Sequence, residues 1–167
     1  AQIENDSESF AAGFDLLTGE NKWKLDRPKA ANWTSPTVLE LDGDEVVALQ
    51  SSKGVLGLVP ATGSSLFQFE NGASTIPSSV ASGNRLFVPS NGLTALTIAA
   101  DGSEPEQLWN ESTQRPGTAS PLVIGETLYL LNNAGVLTAA NVETGDRLWR
   151  IRLKGPFSGS PVAGAGE

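Results

Sequence analysis

The sequence predicts an all-β fold: a β-propeller of four-stranded antiparallel blades, with about four blades in this chain. Three observations carry that prediction. An aromatic residue recurs at Trp23, Phe67, Trp109 and Trp149, at spacings of 44, 42 and 40 residues. Gly19, Gly63 and Gly145 each follow a Thr and precede that aromatic by four residues. No apolar run at helical spacing competes with this period, and repeats of about 40 to 45 residues holding several short strands mark propeller blades. A two-sheet sandwich expects turns, but not self-similarity at such a period.

The elements follow in chain order. Residues 1–9 are polar and acidic and read as a flexible, loosely held arm. Residues 10–167 read as one propeller segment. It divides into a partial blade over 10–29, blades over 33–70, 76–110 and 118–154, and a partial blade over 157–167. In the first piece, strands at Phe10 to Asp15 and Lys22 to Leu25 flank Thr18-Gly19, as the third and fourth strands of a blade. The chain then leaves the sheet at Pro28, which cannot donate a ladder bond.

Each complete unit opens on a short buried strand. These are Ser35 to Leu39, Ser78 to Val80 and Ala119 to Val123. Turns follow at Asp42-Gly43-Asp44, Ser82-Gly83-Asn84 and Gly125-Glu126, and each leads into an apolar second strand. A second turn (Ser51 to Gly54, Asn91-Gly92, Asn132 to Gly135) starts the third strand. Thr62-Gly63, Asp101-Gly102 or Thr144-Gly145 then leads to the fourth, the middle connection being three residues longer. Gly suits these turns because it accepts positive φ. A further opening, Ser158-Gly159-Ser160-Pro161-Val162, begins the last piece.

Composition narrows the chemistry. The 167 residues carry a net charge of −8 and contain no Cys and no His. That charge argues against a nucleic-acid partner. Without Cys there is no disulfide and no thiolate nucleophile. Without His there is no Ser-His-Asp triad, no imidazole base and no imidazole metal ligand. No apolar run approaches the roughly 20 residues of a membrane span.

The remaining candidate sites are weighed against plainer readings. Asp42-Gly43-Asp44-Glu45 offers carboxylates but lacks calcium-loop spacing, and Asp-Gly is a strong hairpin signal. Lys22, Lys24, Arg27 and Lys29, and again Arg147, Arg150, Arg152 and Lys154, read as solvated outer strand faces that block edge pairing. Ser51, Ser52 and Lys53 have no oxyanion hole beside them and carry no catalytic assignment. Trp33 lies outside the repeat, just before Ser35-Pro36, and is the candidate surface contact.

Together these residues resemble the repeats of the pyrroloquinoline-quinone (PQQ) type β-propellers. That family joins Ala-x-Asp to Thr-Gly and then to Trp. Ala139, Asn141, Thr144, Gly145 and Trp149 match it with Asn for Asp, and Gly13, Asp15, Thr18, Gly19 and Trp23 match it with Gly for Ala. Ser-Pro at 35–36, 120–121 and 160–161 matches the family's inner-strand opening. The resemblance implies that Trp23, Phe67, Trp109 and Trp149, with Gly19, Gly63 and Gly145, dock neighbouring blades. It implies no catalytic residue. One branch, the quinoprotein dehydrogenases, holds PQQ with Ca²⁺, so a piece of such an enzyme is the alternative function. The other branch is similar to the non-catalytic outer-membrane assembly lipoprotein and related periplasmic or cell-surface propellers, and it implies a scaffold for a protein or peptide partner, without cofactor. A sensor module of a signalling protein is a third reading.

Family rings have seven or eight blades, so the chain reads as half a ring. Three completions are open: further blades of a longer chain, a homodimer pairing end to end, or a small closed four-bladed ring in which 158–167 and 10–25 share a blade.

Overall fold

Short alternating runs broken at glycine turns give fifteen strands and no helix among residues 1–164, which the computed structural model describes. Strands β1 (Gln2–Ile3), β2 (Phe10–Phe14) and β3 (Asn21–Asp26) form a three-stranded sheet. Three four-stranded sheets follow. The first is β4 (Thr37–Leu41), β5 (Asp44–Ser51), β6 (Gly54–Leu58) and β7 (Ser65–Phe69). The second is β8 (Val80–Ser82), β9 (Arg85–Val88), β10 (Leu93–Thr97) and β11 (Glu106–Glu111). The third is β12 (Leu122–Ile124), β13 (Thr127–Leu131), β14 (Val136–Asn141) and β15 (Arg147–Arg152). Within each sheet, consecutive strands pair antiparallel. The first strands β4, β8 and β12 neighbour one another across sheets, which sets them innermost. The molecule is an arc of four propeller blades.

The hydrophobic core lies between blades rather than within them. Ala11, Trp23 and Leu25 of the first blade meet Leu49 and Leu58 of the second. Val55, Phe67 and Phe69 of the second meet Leu86, Leu96 and Ile98 of the third. Phe87, Ala95 and Trp109 of the third meet Leu128, Leu130 and Val142 of the fourth. Each strand therefore offers one parity of side chains to the blade before and the other to the blade after.

Two hairpins show the turn chemistry expected of them. Asp42-Gly43 has φ of 52° and 92°, and Asn91-Gly92 has 54° and 107°. Two successive positive φ values match the right-handed strand twist, and Asp or Asn before Gly is the sequence that tolerates them.

The N-terminal nine residues depart from the expected arm. Gln2 and Ile3 pair with Ala11 and Phe10 as a strand at the second position of the first blade. The chain's α-amino group donates to the Ala12 carbonyl at 2.6 Å. Glu4 forms an ion pair with Arg27 at 2.7 Å, their side chains only 1% and 4% exposed. The second Glu4 carboxylate oxygen accepts from Asn32 at 2.8 Å. A buried charge pair with its remaining lone pairs satisfied fixes this segment in place. The first blade thus has three strands, not two.

At the other end, residues 157–164 form no strand, and residues 165–167 of the expected partial blade lie outside the described residues. Among the described residues no sheet contains strands of both the first and the last blade, the arrangement that the small closed ring calls for. The Gly19 turn has no atom within 4 Å of where a Cβ would sit.

Candidate functional site

The repeated turn is the unit from which the blade contacts are made. In Asp15 to Gly19, Val59 to Gly63 and Asn141 to Gly145, the Gly N–H donates to the carbonyl four residues back, at 2.9 Å in each case. The Gly φ values are 72°, 72° and 75°. A carboxylate or amide oxygen braces two of these turns. Asp15 Oδ1 accepts from the Leu17 and Thr18 N–H groups at 3.0 and 2.9 Å, and Asn141 Oδ1 accepts from Glu143 and Thr144 at 2.7 and 3.1 Å. The Thr18 N–H and hydroxyl, then the Leu17 N–H, hold the Asp15 carboxyl below its usual value of 3.8, because each favours the charged form.

Trp23 and Trp109 each reach across to the next blade's turn. Trp23 donates its indole N–H to the Pro60 carbonyl at 2.7 Å, and a Cβ at Gly63 would stand 2.5 Å from its ring. Trp109 repeats this on the fourth blade, donating to the Val142 carbonyl at 3.0 Å, with a Cβ at Gly145 only 2.8 Å from its ring. Gly63 and Gly145 are therefore needed twice, for the backbone conformation and for the ring's approach. Phe67 is buried in the contact between the second and third blades, but has no N–H to donate. The next turn, at Gly102, instead lies beside the Leu66 carbonyl. Trp149 rests on Tyr129 with ring centroids 6.0 Å apart, and remains 42% exposed. Gly19 faces open space.

Two features escaped sequence reading. The first is the seat beneath each aromatic. Trp23, Phe67, Trp109 and Trp149 lie opposite Gly13, Gly57, Ala95 and Ala139, and the ladder shifts register immediately after each of these small residues. A Cβ on Gly13 or Gly57 would fall inside the facing ring. The second is a serine ladder along the inner strands. The Ser35 N–H donates to Ser78 Oγ at 2.9 Å, Ser78 to Ser120 Oγ at 3.0 Å, and Ser120 to Ser160 Oγ at 2.9 Å. The recurring Ser-Pro was its visible signal.

Trp33 stands apart from this framework. It is 68% exposed, yet its backbone is fixed. Its N–H donates to the Thr75 carbonyl at 2.8 Å. Asn32 donates to the Gln50 carbonyl at 2.8 Å as well as to Glu4, and Thr34 is bonded to Asn32. Gln50 is itself buried and bonded to Ser74, Pro77 and Ser79 of the adjoining segment. Ile76, 46% exposed, lies on the segment to which Trp33 is tied. The result is an exposed indole on a loop held by hydrogen bonds.

Ser51, Ser52 and Lys53 lie at the β5–β6 turn, where Ser51 Oγ accepts from the Lys53 N–H. Among the described residues no three Asp or Glu side chains converge to hold a metal ion. The inner-strand serines Ser78, Ser120 and Ser160 use their hydroxyls on neighbouring backbone. No helix of the structure is long and apolar enough to cross a membrane.

Comparison with known proteins places this geometry. A family model described as outer membrane protein assembly factor BamB matches residues 4–70 and 67–167. BamB from Alkalilimnicola ehrlichii is 34% identical over 77 residues, which is 43% of this chain and 20% of that protein. The crystal structure of BamB from Moraxella catarrhalis superposes with a TM-score of 0.62 at 21% identity, over 90% of this chain and 44% of that one. A europium-containing methanol dehydrogenase superposes with a TM-score of 0.51 at 16% identity, over 66% of this chain and 23% of that one. At such identities the superpositions show a shared fold. This chain spans less than half the length of each of these relatives.

Proposed function

The chain belongs to the BamB family of outer membrane protein assembly factors, and from that premise we propose that it is a non-catalytic propeller module that binds a protein or peptide segment on the loop face carrying Trp33. The observation that carries this reading is the exposed indole held on a fixed backbone. An aromatic left in water loses the benefit of burial, and one that is already ordered gives up little freedom when a partner covers it. Aromatic anchors of this kind dominate the energetics of protein contacts. The assembly role in the family name supports a protein ligand. We assign the module to the periplasm or the cell surface on the same ground.

The reading is tested by placing a photo-crosslinking amino acid at position 33 in a Gram-negative host. A light-dependent adduct of defined mass is expected at 33 and absent at the exposed control position Glu104. Equal labelling at both positions, or none at 33, overturns it. The dehydrogenase alternative has its own test. Protein incubated with PQQ and Ca²⁺ and then desalted is expected to lose all quinone absorbance. Retained absorbance with oxidation of an alcohol or sugar overturns the non-catalytic assignment.

A further inference from the structure

The seam between the second and third blades departs from the other two, and it opens into a groove. Its aromatic is Phe67, which has no N–H to donate, and the third blade's Gly102 turn lies in the longer β10–β11 connection. Leu66 is the extra residue of the bulge in β7. Gly57 pairs with Phe67 and Leu58 with Ser65, which leaves Leu66 without a partner in the ladder. A bulge re-aims a side chain, and that of Leu66 packs against the core of this seam. Leu66, Leu41 and Val46 line a cavity of about 440 Å³, together with the exposed Asp44, Glu45 and Ala100. Leu41 and Val46 are themselves core residues, so the floor of the cavity is continuous with the hydrophobic core. Its volume is that of a ligand pocket.

The three segments that frame this groove carry one sign of charge. Residues 41–46, 59–66 and 98–106 hold Asp42, Asp44, Glu45, Asp101, Glu104 and Glu106, and no Lys or Arg. None of these carboxylates is in an ion pair among the described residues. Arg85, which pairs with Thr97 at the foot of the β10–β11 connection, is already held by Glu143 at 2.6 Å.

We propose that this groove binds a peptide segment of a partner protein in which an apolar side chain is flanked by Lys or Arg. The apolar side chain takes the floor made by Leu41, Val46 and Leu66. The flanking cations meet Asp44 and Glu45 on one side and the acids of the β10–β11 connection on the other. Burial on the floor supplies affinity. The unpaired carboxylates supply selection, because they attract cationic segments and repel acidic ones. The groove is built by the second and third blades alone. Trp33 precedes β4, whereas the groove lies past the far end of that strand, at Leu41. The two contacts therefore use opposite loop faces, and this inference and the binding reading stand or fall separately.

Fluorescence anisotropy of the purified 167-residue chain tests it. The probe is a labelled, end-capped peptide with leucines flanked by arginines in a glycine-serine background. Saturable binding is expected. Exchanging the arginines for glutamates, or the leucines for serines, is expected to weaken it at least about ten-fold. Asp44→Lys combined with Glu45→Lys is expected to weaken it by at least about the same ten-fold, as is Ala100→Trp, which fills the groove from an exposed position. Glu126→Lys reverses a charge on the β12–β13 turn of the fourth blade, and Trp33→Ala removes the anchor of the opposite face. Each is expected to stay within about two-fold of wild type. All of these positions are exposed, and unchanged circular dichroism establishes that each variant folds. Absence of saturable binding to wild type overturns the proposal, as does equal binding of the glutamate or serine peptide. A loss in Glu126→Lys equal to that of the Asp44 and Glu45 variant overturns it too, since the attraction would then be a general one between cations and an acidic protein. A loss confined to Trp33→Ala would move the peptide to the opposite face and overturn it as well.

Discussion

Trp109 and Trp149 occupy the same position in consecutive blades, yet their surroundings differ. Both lie opposite an alanine, and both lean on an aromatic of the same sheet. Trp109 is buried and hydrogen-bonded to the next blade, while Trp149 is half exposed. The blade itself supplies the seat. The following blade supplies the burial. A propeller residue's contribution to stability is therefore a property of two units, and the same residue type has different weight at the middle and the end of the arc.

Substitutions sharpen that contrast. The largest effect is expected for Trp109→Ala, which removes a buried ring and an indole hydrogen bond and should cost about 3–5 kcal/mol in denaturant unfolding. An effect below about 1 kcal/mol would break the argument that the seam between blades holds the fold. Gly57→Ala comes next. Its Cβ would fall inside the Phe67 ring, and overpacking of this kind costs about 1–3 kcal/mol. A neutral result by thermal melting would mean that the Phe67 ring can rise as the Trp109 ring does over Ala95. Trp149→Ala should cost about 1–2 kcal/mol, less than Trp109→Ala, since 42% of the residue is already in water. A loss equal to that of Trp109→Ala would erase the distinction between seam and end.

The smallest effect belongs to the brace of the first turn. Asp15 and Asn141 hold equivalent turns, one through a charge and one without. The Asp15 carboxyl is held below its usual value, so its contribution is fully present above the unfolded value near 3.8 and is lost as pH falls through the lower folded value. Asp15→Asn should leave stability at neutral pH within experimental error and should make the first turn insensitive to acid. Hydrogen exchange of the Thr18 amide, compared across acid and neutral pH in both proteins, measures this. An unchanged pH dependence in the variant would assign the effect to another carboxylate.

Much of this was legible in the sequence because a repeat repeats its chemistry. The Thr-Gly turn, the aromatic four residues on and the Asp-Gly and Asn-Gly hairpins each have a local physical cause. What escaped had no local cause. Gln2 and Ile3 are too short a run to show alternation, and they become a strand only because β2 offers an edge. Glu4 and Arg27 are 23 residues apart, and nothing in either neighbourhood announces that they will be buried together. Gln50 looks like one more polar residue on a strand. Its role as the hub between Trp33's loop and the next blade depends on contacts 16 to 29 residues distant. Gly13 reads as a small substitute for Ala, whereas Gly13 and Gly57 are each a space that a ring fills. For the candidate site, sequence marked Trp33 as unusual by its place outside the repeat, but not the bonding that fixes its loop.

The serine ladder bears on how such a chain changes over generations. Each joint consists of one N–H and one hydroxyl, and every unit offers the same donor to the next and the same acceptor to the last. A gene duplication that copies one whole unit inserts a part whose two joints already match its neighbours, so blade number can grow or shrink without new chemistry at the axis. A duplication that begins or ends elsewhere leaves one serine without its mate.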